Sequence, residues 1–193
     1  MRAWMAALMV VASPAFSQVP VAEDVGSWRL GCVVDRMTDR AACQMRHRDW
    51  VERPAGSSTG LALEIQDRGG RMVPVVSARD LGLDGAARGV QLLASRVQMR
   101  LGDNPMFEMR CGLDGHSLFC FPNPAEAERI ERELVSANRL LVRVGSSAEP
   151  TEIRLERTRD AMAAYRRQVP PGAPAPEGND LGDLLGRLQR LFQ

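Results

Sequence analysis

The sequence predicts a mainly β domain, an antiparallel β-sandwich or flattened barrel with one packed helix, and three observations carry that expectation. Short runs in which apolar and polar residues alternate follow one another from Trp28 to Cys120, separated by clusters of Gly, Pro, Asp and Ser. One strongly punctuated helical segment follows them, opening at Asn123. Four cysteines fall in two short windows, Cys32 with Cys43 and Cys111 with Cys120. At 193 residues the chain has room for one domain with a substantial core, plus ends.

The first seventeen residues stand apart from that domain. Arg2 precedes an apolar run from Trp4 to Ala12, then come Pro14 and the small residues Ala15 and Ser17. This is the layout of a secretory signal cleaved before Gln18. The run is about half of the roughly 20 apolar residues that a spanning helix needs, so export rather than anchoring is expected.

The domain is expected to run from 18 to 168. A polar lead, Gln18 to Gly26, opens it. "SWRLGCVV" and "ACQMRHRDWV" then alternate as half-buried strands, the second with Cys43, Met45 and His47 on one face. "ERPAGSSTG" is a loop. "LALEIQ", "DRGG" and "RMVPVVSA" form the best hairpin signal. In it Glu64 alternates as an exposed strand residue, and Pro74 demotes the second strand to an edge or a bulge because proline cannot donate to a ladder. After the loop "GLDGAARG", "VQLLASRVQMRL" and "MFEMRC" are strand-like.

A packed helix is predicted over about 124–138. Asn123 is a good N-cap, Pro124 suits the first helical position, and Glu126 can reach back to complete a capping box. Ala127, Ile130, Leu134, Ala137 and Leu141 follow as one apolar stripe. Glu128 with Arg132 and Arg129 with Glu133 are i,i+4 pairs on the polar side. "RLLVRV" and "TEIRLER" read as strands, and a short helix is predicted over about 158–167. Four prolines in "VPPGAPAPEG" make 169–179 an extended linker. Residues 180–193 carry Leu181, Leu184, Leu185, Leu188, Leu191 and Phe192 at helical spacing, with acids early and arginines late, which predicts a C-terminal amphipathic helix. Alone such a helix is marginal, so self-association through Leu181–Phe192 or docking on a partner is expected.

Charge narrows the function classes. There are 25 basic residues, all arginine, against 24 acidic ones, and removing the leader takes away Arg2 alone. The exported chain is neutral and its charges are interleaved, so the basic stripe that nucleic acid requires is not present in the sequence.

The motifs allow an enzymatic alternative. Gly56 to Gly60 match G-x-S-x-G with Ser58 in the nucleophile position, but a proline-bearing loop precedes it and a β run follows, not the strand–turn–helix that exposes such a serine. His116 with Cys111 and Cys120, and His47 as a fourth ligand, could in principle hold zinc. No C-x-x-C knuckle is present, and an exported protein oxidises its thiols. Four cysteines allow three pairings. The local one closes two short loops, each containing turn-forming residues, "DRMTDR" and "GLDG". The expectation is therefore a stapled protein with no catalytic residues, no metal and no cofactor.

The order of these features resembles the invasion-associated locus B family of alphaproteobacterial envelope proteins. "WRLGC" stands near the mature start with Cys43 following, then "FEMRCGLDGHSLFC", a helix, "RLLVRV" and "TEIRLERTRDAMAAY", so the resemblance spans about Trp28 to Tyr165. It implies a secreted or periplasmic, mainly β protein with two local disulfides formed by Cys32, Cys43, Cys111 and Cys120. It also implies a non-enzymatic interaction role linked to contact with host cells, the partner being an envelope or host protein. Phe119 stands where the family usually has glycine, and the proline linker and amphipathic tail lie outside the family pattern.

Overall fold

The computed structural model describes residues 21–35, 37, 40–56, 59–79, 81, 93, 96–145 and 149–171. The leader, Ser58 and the tail helix lie outside them. The strands are β1 (Val21–Val25), β2 (Trp28–Asp35), β3 (Arg40–Glu52), β4 (Leu61–Arg68), β5 (Arg71–Ala78), β6 (Val97–Leu101), β7 (Phe107–Asp114), β8 (Ser117–Pro122), β9 (Arg139–Val144) and β10 (Thr151–Arg154). They form one antiparallel sheet in the order β1-β2-β3-β4-β5-β8-β7-β6-β9-β10. Two helices with described bounds accompany it: α1 (Ala127–Ser136), entered through a 3-10 turn at Pro124–Glu126, and α2 (Thr158–Gln168). The mainly β class and both helices match the expectation.

The sheet bends over so that its two ends meet. Thr151 Oγ1 on β10 donates to the carbonyl of Val51 on β3 at 3.1 Å, and the Ser27 N–H donates to the Glu156 carbonyl at 3.3 Å. The β1–β2 turn can approach this closely only because Gly26 fills it. Its φ is +59°, and a Cβ there would lie 2.3 Å from the Glu156 carbonyl oxygen.

Alternation sends Trp28, Leu30, Met45, Leu63, Ile65, Met72 and Val76 to the interior, where they join Ile130 and Leu134 of α1 and Ala161, Met162 and Tyr165 of α2. Burial of each large side chain stabilises by about 1.5–3 kcal/mol. Trp28 also donates its indole N–H to Thr158 Oγ1 at 3.1 Å, which satisfies the polar end of a fully buried ring and fixes α2 against β2.

The helix signals hold in part. Asn123 Oδ1 accepts the Ala125 N–H at 3.1 Å, and the pairs Arg132–Glu128 and Arg129–Glu133 both form at 2.9 Å. The capping box does not close: the Glu126 carboxylate turns to Arg129 at 2.6 Å, a charged partner that outcompetes a backbone amide. The apolar stripe ends within the helix, and Leu141 belongs to β9.

Four further expectations are corrected. The polar lead contains a strand, β1, whose register against β2 runs from Val21↔Cys32 to Val25↔Trp28. Of the strand read over 90–101, β6 covers Val97–Leu101, and Leu93 is helical. β5 is neither an edge nor bulged, since it lies between β4 and β8. Its β8 ladder covers only Val76–Ala78, however, and beyond that the Met72 N–H is met by Glu131 Oε1 of α1 at 2.9 Å. Pro74 has the same parity as Met72, so its missing donor falls where no strand asks for one. Glu64 is the fourth: it is 1% exposed, not a solvated strand residue.

Candidate functional site

Both cysteine windows are cross-strand staples. Cys32 pairs with Cys43 in the β2–β3 register and Cys111 with Cys120 in the β7–β8 register, with Cα separations of 4.1 and 3.9 Å. Such short separations belong to the non-hydrogen-bonded positions of an antiparallel ladder, where opposed side chains come closest. No described cysteine is free. The sulfurs needed by the zinc alternative are therefore engaged with one another, and the described residues contain no group of three His, Cys, Asp or Glu suited to a metal ion.

The two histidines are far from equivalent. His116 sits in the exposed β7–β8 turn, where its carbonyl accepts the Leu81 N–H at 2.7 Å. His47 is 2% exposed and stacks edge-on against Trp28 with ring centroids 4.9 Å apart. Its Nδ1 accepts the Asp49 N–H at 2.9 Å, so the proton resides on Nε2, which donates to the Arg154 carbonyl at 2.9 Å. Burial holds this imidazole below its ordinary pKa, against an opposing pull from the Arg154 carbonyl and Asp49. His47 thus joins β3 to β10 as a neutral structural group, and it is not brought together with Cys111, Cys120 or His116.

The residues that sequence reasoning missed lie on the outer face of the same strands. At its centre is Glu64. Arg79 holds both carboxylate oxygens, Nε to Oε1 at 2.8 Å and Nη2 to Oε2 at 2.7 Å, while Ser77 Oγ (2.6 Å), Gln44 Nε2 (2.9 Å) and Gln66 Nε2 (3.0 Å) donate as well. Burial pushes the Glu64 carboxyl up, but the hydrogen bonds from Arg79 and Ser77 and the Arg79 charge outweigh it, and the group stays below its ordinary pKa. To one side, Phe119 and Phe121 stack with centroids 5.9 Å apart, and the Arg68 guanidinium lies over Phe121 at 3.6 Å.

To the other side runs an open groove of about 480 Å³ across β2 and β3, lined by Arg29, Gly31, Gln44, Arg46, Arg48 and Trp50. The Arg46 guanidinium lies 3.8 Å from the Trp50 ring centroid. Arg29 and Arg48 both pair with Asp24 of β1, at 3.1 and 3.0 Å. Burial, and then the charges of Arg79 and Arg29, depress the Arg46 pKa, with Glu64 opposing. One signal was available in advance: in "QMRHRDW" the inward assignment of Met45 and His47 obliges Arg46 and Arg48 to share the opposite face.

Among the described residues no helix is long and apolar enough to cross a membrane. Comparison with protein families, with curated proteins and with solved structures finds no match to this chain.

Proposed function

We propose that the chain is a non-enzymatic, exported envelope protein of the invasion-associated locus B type, a protein-interaction module that contributes to contact with host cells. The observation that carries this reading is the pair of in-register disulfides, Cys32–Cys43 and Cys111–Cys120, which are compatible with an oxidising periplasmic or extracellular compartment. The resemblance over Trp28 to Tyr165 supplies the rest, including the host or envelope partner. The alternative, a secreted hydrolase or metal-dependent enzyme, would have to rest on Ser58, because the Cys/His set has its thiols oxidised and its histidines apart.

Expression of the full chain in a Gram-negative bacterium tests the proposal. The protein is expected in the periplasmic extract, beginning at Gln18, with no titratable thiol and a mass about four units below its reduced form, one for each thiol hydrogen lost. Recovery in the cytoplasm with its leader intact and four reactive thiols would overturn it. So would an esterase activity abolished by Ser58→Ala. The tail enters as a further part of the reading: removal of 170–193 is expected to leave the β domain folded and to change its oligomeric state or its retention by envelope fractions, read by size exclusion and fractionation.

A further inference from the structure

Three guanidiniums share one patch of the outer face without carboxylates to match. Arg29 and Arg46 are directly opposed in the β2–β3 register, a placement in which like charges repel. Asp24 is divided between Arg29 and Arg48. Glu64 stands opposite Arg46 on β4, but its oxygens are occupied by Arg79, Ser77, Gln44 and Gln66. Arg46 is left with the face of Trp50 and with no carboxylate at ion-pair distance among the described residues. Next to it, Gly31 opens the floor: a Cβ there would meet nothing within 4 Å.

A fold that sets an exposed Arg29 opposite a half-buried Arg46, beside an accessible indole, is arranged for an anion that arrives from outside. The patch is short, crossing two strands, and Asp24 lies at its rim, so a polyanion such as nucleic acid or a sulfated polysaccharide would meet too few cations and one repelling carboxylate. A single carboxylate with an apolar neighbour fits better. Guanidinium edges bind carboxylates through paired N–H donors, and the Trp50 ring offers surface beside them.

We infer that this groove binds an acidic segment of a partner protein, with a Glu or Asp carboxylate held by Arg29 and Arg46 and an adjacent aromatic or aliphatic side chain laid along Trp50. The inference rests on the interaction-module reading and gives it a site and a ligand chemistry.

Fluorescence anisotropy of the full chain, purified with both disulfides formed, provides the test. The probes are a peptide carrying Glu-Phe-Glu at its centre, labelled with a neutral dye, and the same peptide with Gln-Phe-Gln. The acidic peptide is expected to bind at least about tenfold more tightly than its neutral counterpart, the worth of one charge-assisted pair. Arg46→Gln should remove about the same factor. Gly31→Val, which fills the floor and leaves every charge in place, should weaken binding as well, with the thermal transition of both variants monitored. Equal affinity for the two peptides, wild-type affinity in a folded Arg46→Gln or Gly31→Val protein, or displacement of the peptide by inorganic phosphate or heparin at lower concentration than by unlabelled peptide would each overturn the assignment. Failure here is separable from failure of the parent reading. A protein exported and oxidised as described, yet indifferent to the acidic peptide, loses the groove and keeps the envelope role. A cytoplasmic, reduced protein that binds the peptide keeps the groove alone.

Discussion

On the inner face of the sheet Trp28, Leu30, Met45, Leu63 and Ile65 meet the helices as close-packed apolar surface, while on the outer face the same strands carry Arg29, Gln44, Arg46, Glu64 and Gln66. Both faces bury residues fully, but by different means. Inside, burial is driven by apolar area. Outside, Glu64 is tolerated because five donors from Arg79, Ser77, Gln44 and Gln66 surround it. The difference teaches that this domain keeps its main apolar core on one face and its buried and half-buried charges on the other, so that a ligand can be accommodated without opening that core.

Substitutions can break that division at graded cost. Trp28→Ala removes the largest interior side chain and the partner of Thr158, and a loss of about 3–5 kcal/mol in denaturant unfolding is expected. If the transition moved by less than a quarter of that, the inner face would not be the seat of stability. Replacing Cys111 and Cys120 together by Ala should cost about 2–3 kcal/mol, the value of a short closed loop. Glu64→Ala removes the Arg79 ion pair, but that guanidinium is 42% exposed and can rehydrate, so the expected cost is about 2 kcal/mol rather than that of a wholly buried pair. Because the folded-state pKa of Glu64 is depressed, its contribution is complete above the unfolded carboxylate pKa and disappears as pH falls through the folded value. An acid titration of stability that is the same for wild type and Glu64→Ala would contradict this.

His47 sharpens the comparison through pH. Its pKa is lowered from 6.5, so the unfolded chain binds the proton more readily than the folded one. Stability should be at its plateau above pH 6.5 and should decline as pH drops through the interval down to the folded pKa. His47→Gln should flatten that decline in thermal scans from neutral to mildly acidic pH. The smallest effect belongs to the outer groove: Arg46→Gln should change stability by less than about 0.5 kcal/mol while weakening peptide binding. A large loss of stability would make Arg46 a structural residue.

Most of the framework was legible from the chain. Strands β2 to β5 and both helices follow from alternation, caps and turn glycines, which act locally. Strand β1 was hidden because "VAEDV" is polar at its centre, with Glu23 exposed on the face that carries the buried Val25. Glu64 was misjudged for a different reason: parity assigns it to the outer face correctly, but whether that face is wet depends on Arg79, fifteen residues away. The groove was illegible in the same way. It exists only once the register sets Arg29 beside Arg46, and a linear pattern contains no register.

The clasp at Gly26 has a consequence for how the molecule assembles. Ser27 bonds to Glu156 across 129 residues, so the bend of the sheet is complete only when almost the whole domain has been brought together. The sulfur pairs, by contrast, join residues separated by 11 and 9 in the chain. Closure over long separations is slow, and closure over short ones is fast. The two staples can therefore form on hairpins that emerge early, without waiting for the clasp, and the seam between the first and last strands is the slow, late event. A chain arrested before that event would already be oxidised, with Trp28 still in water.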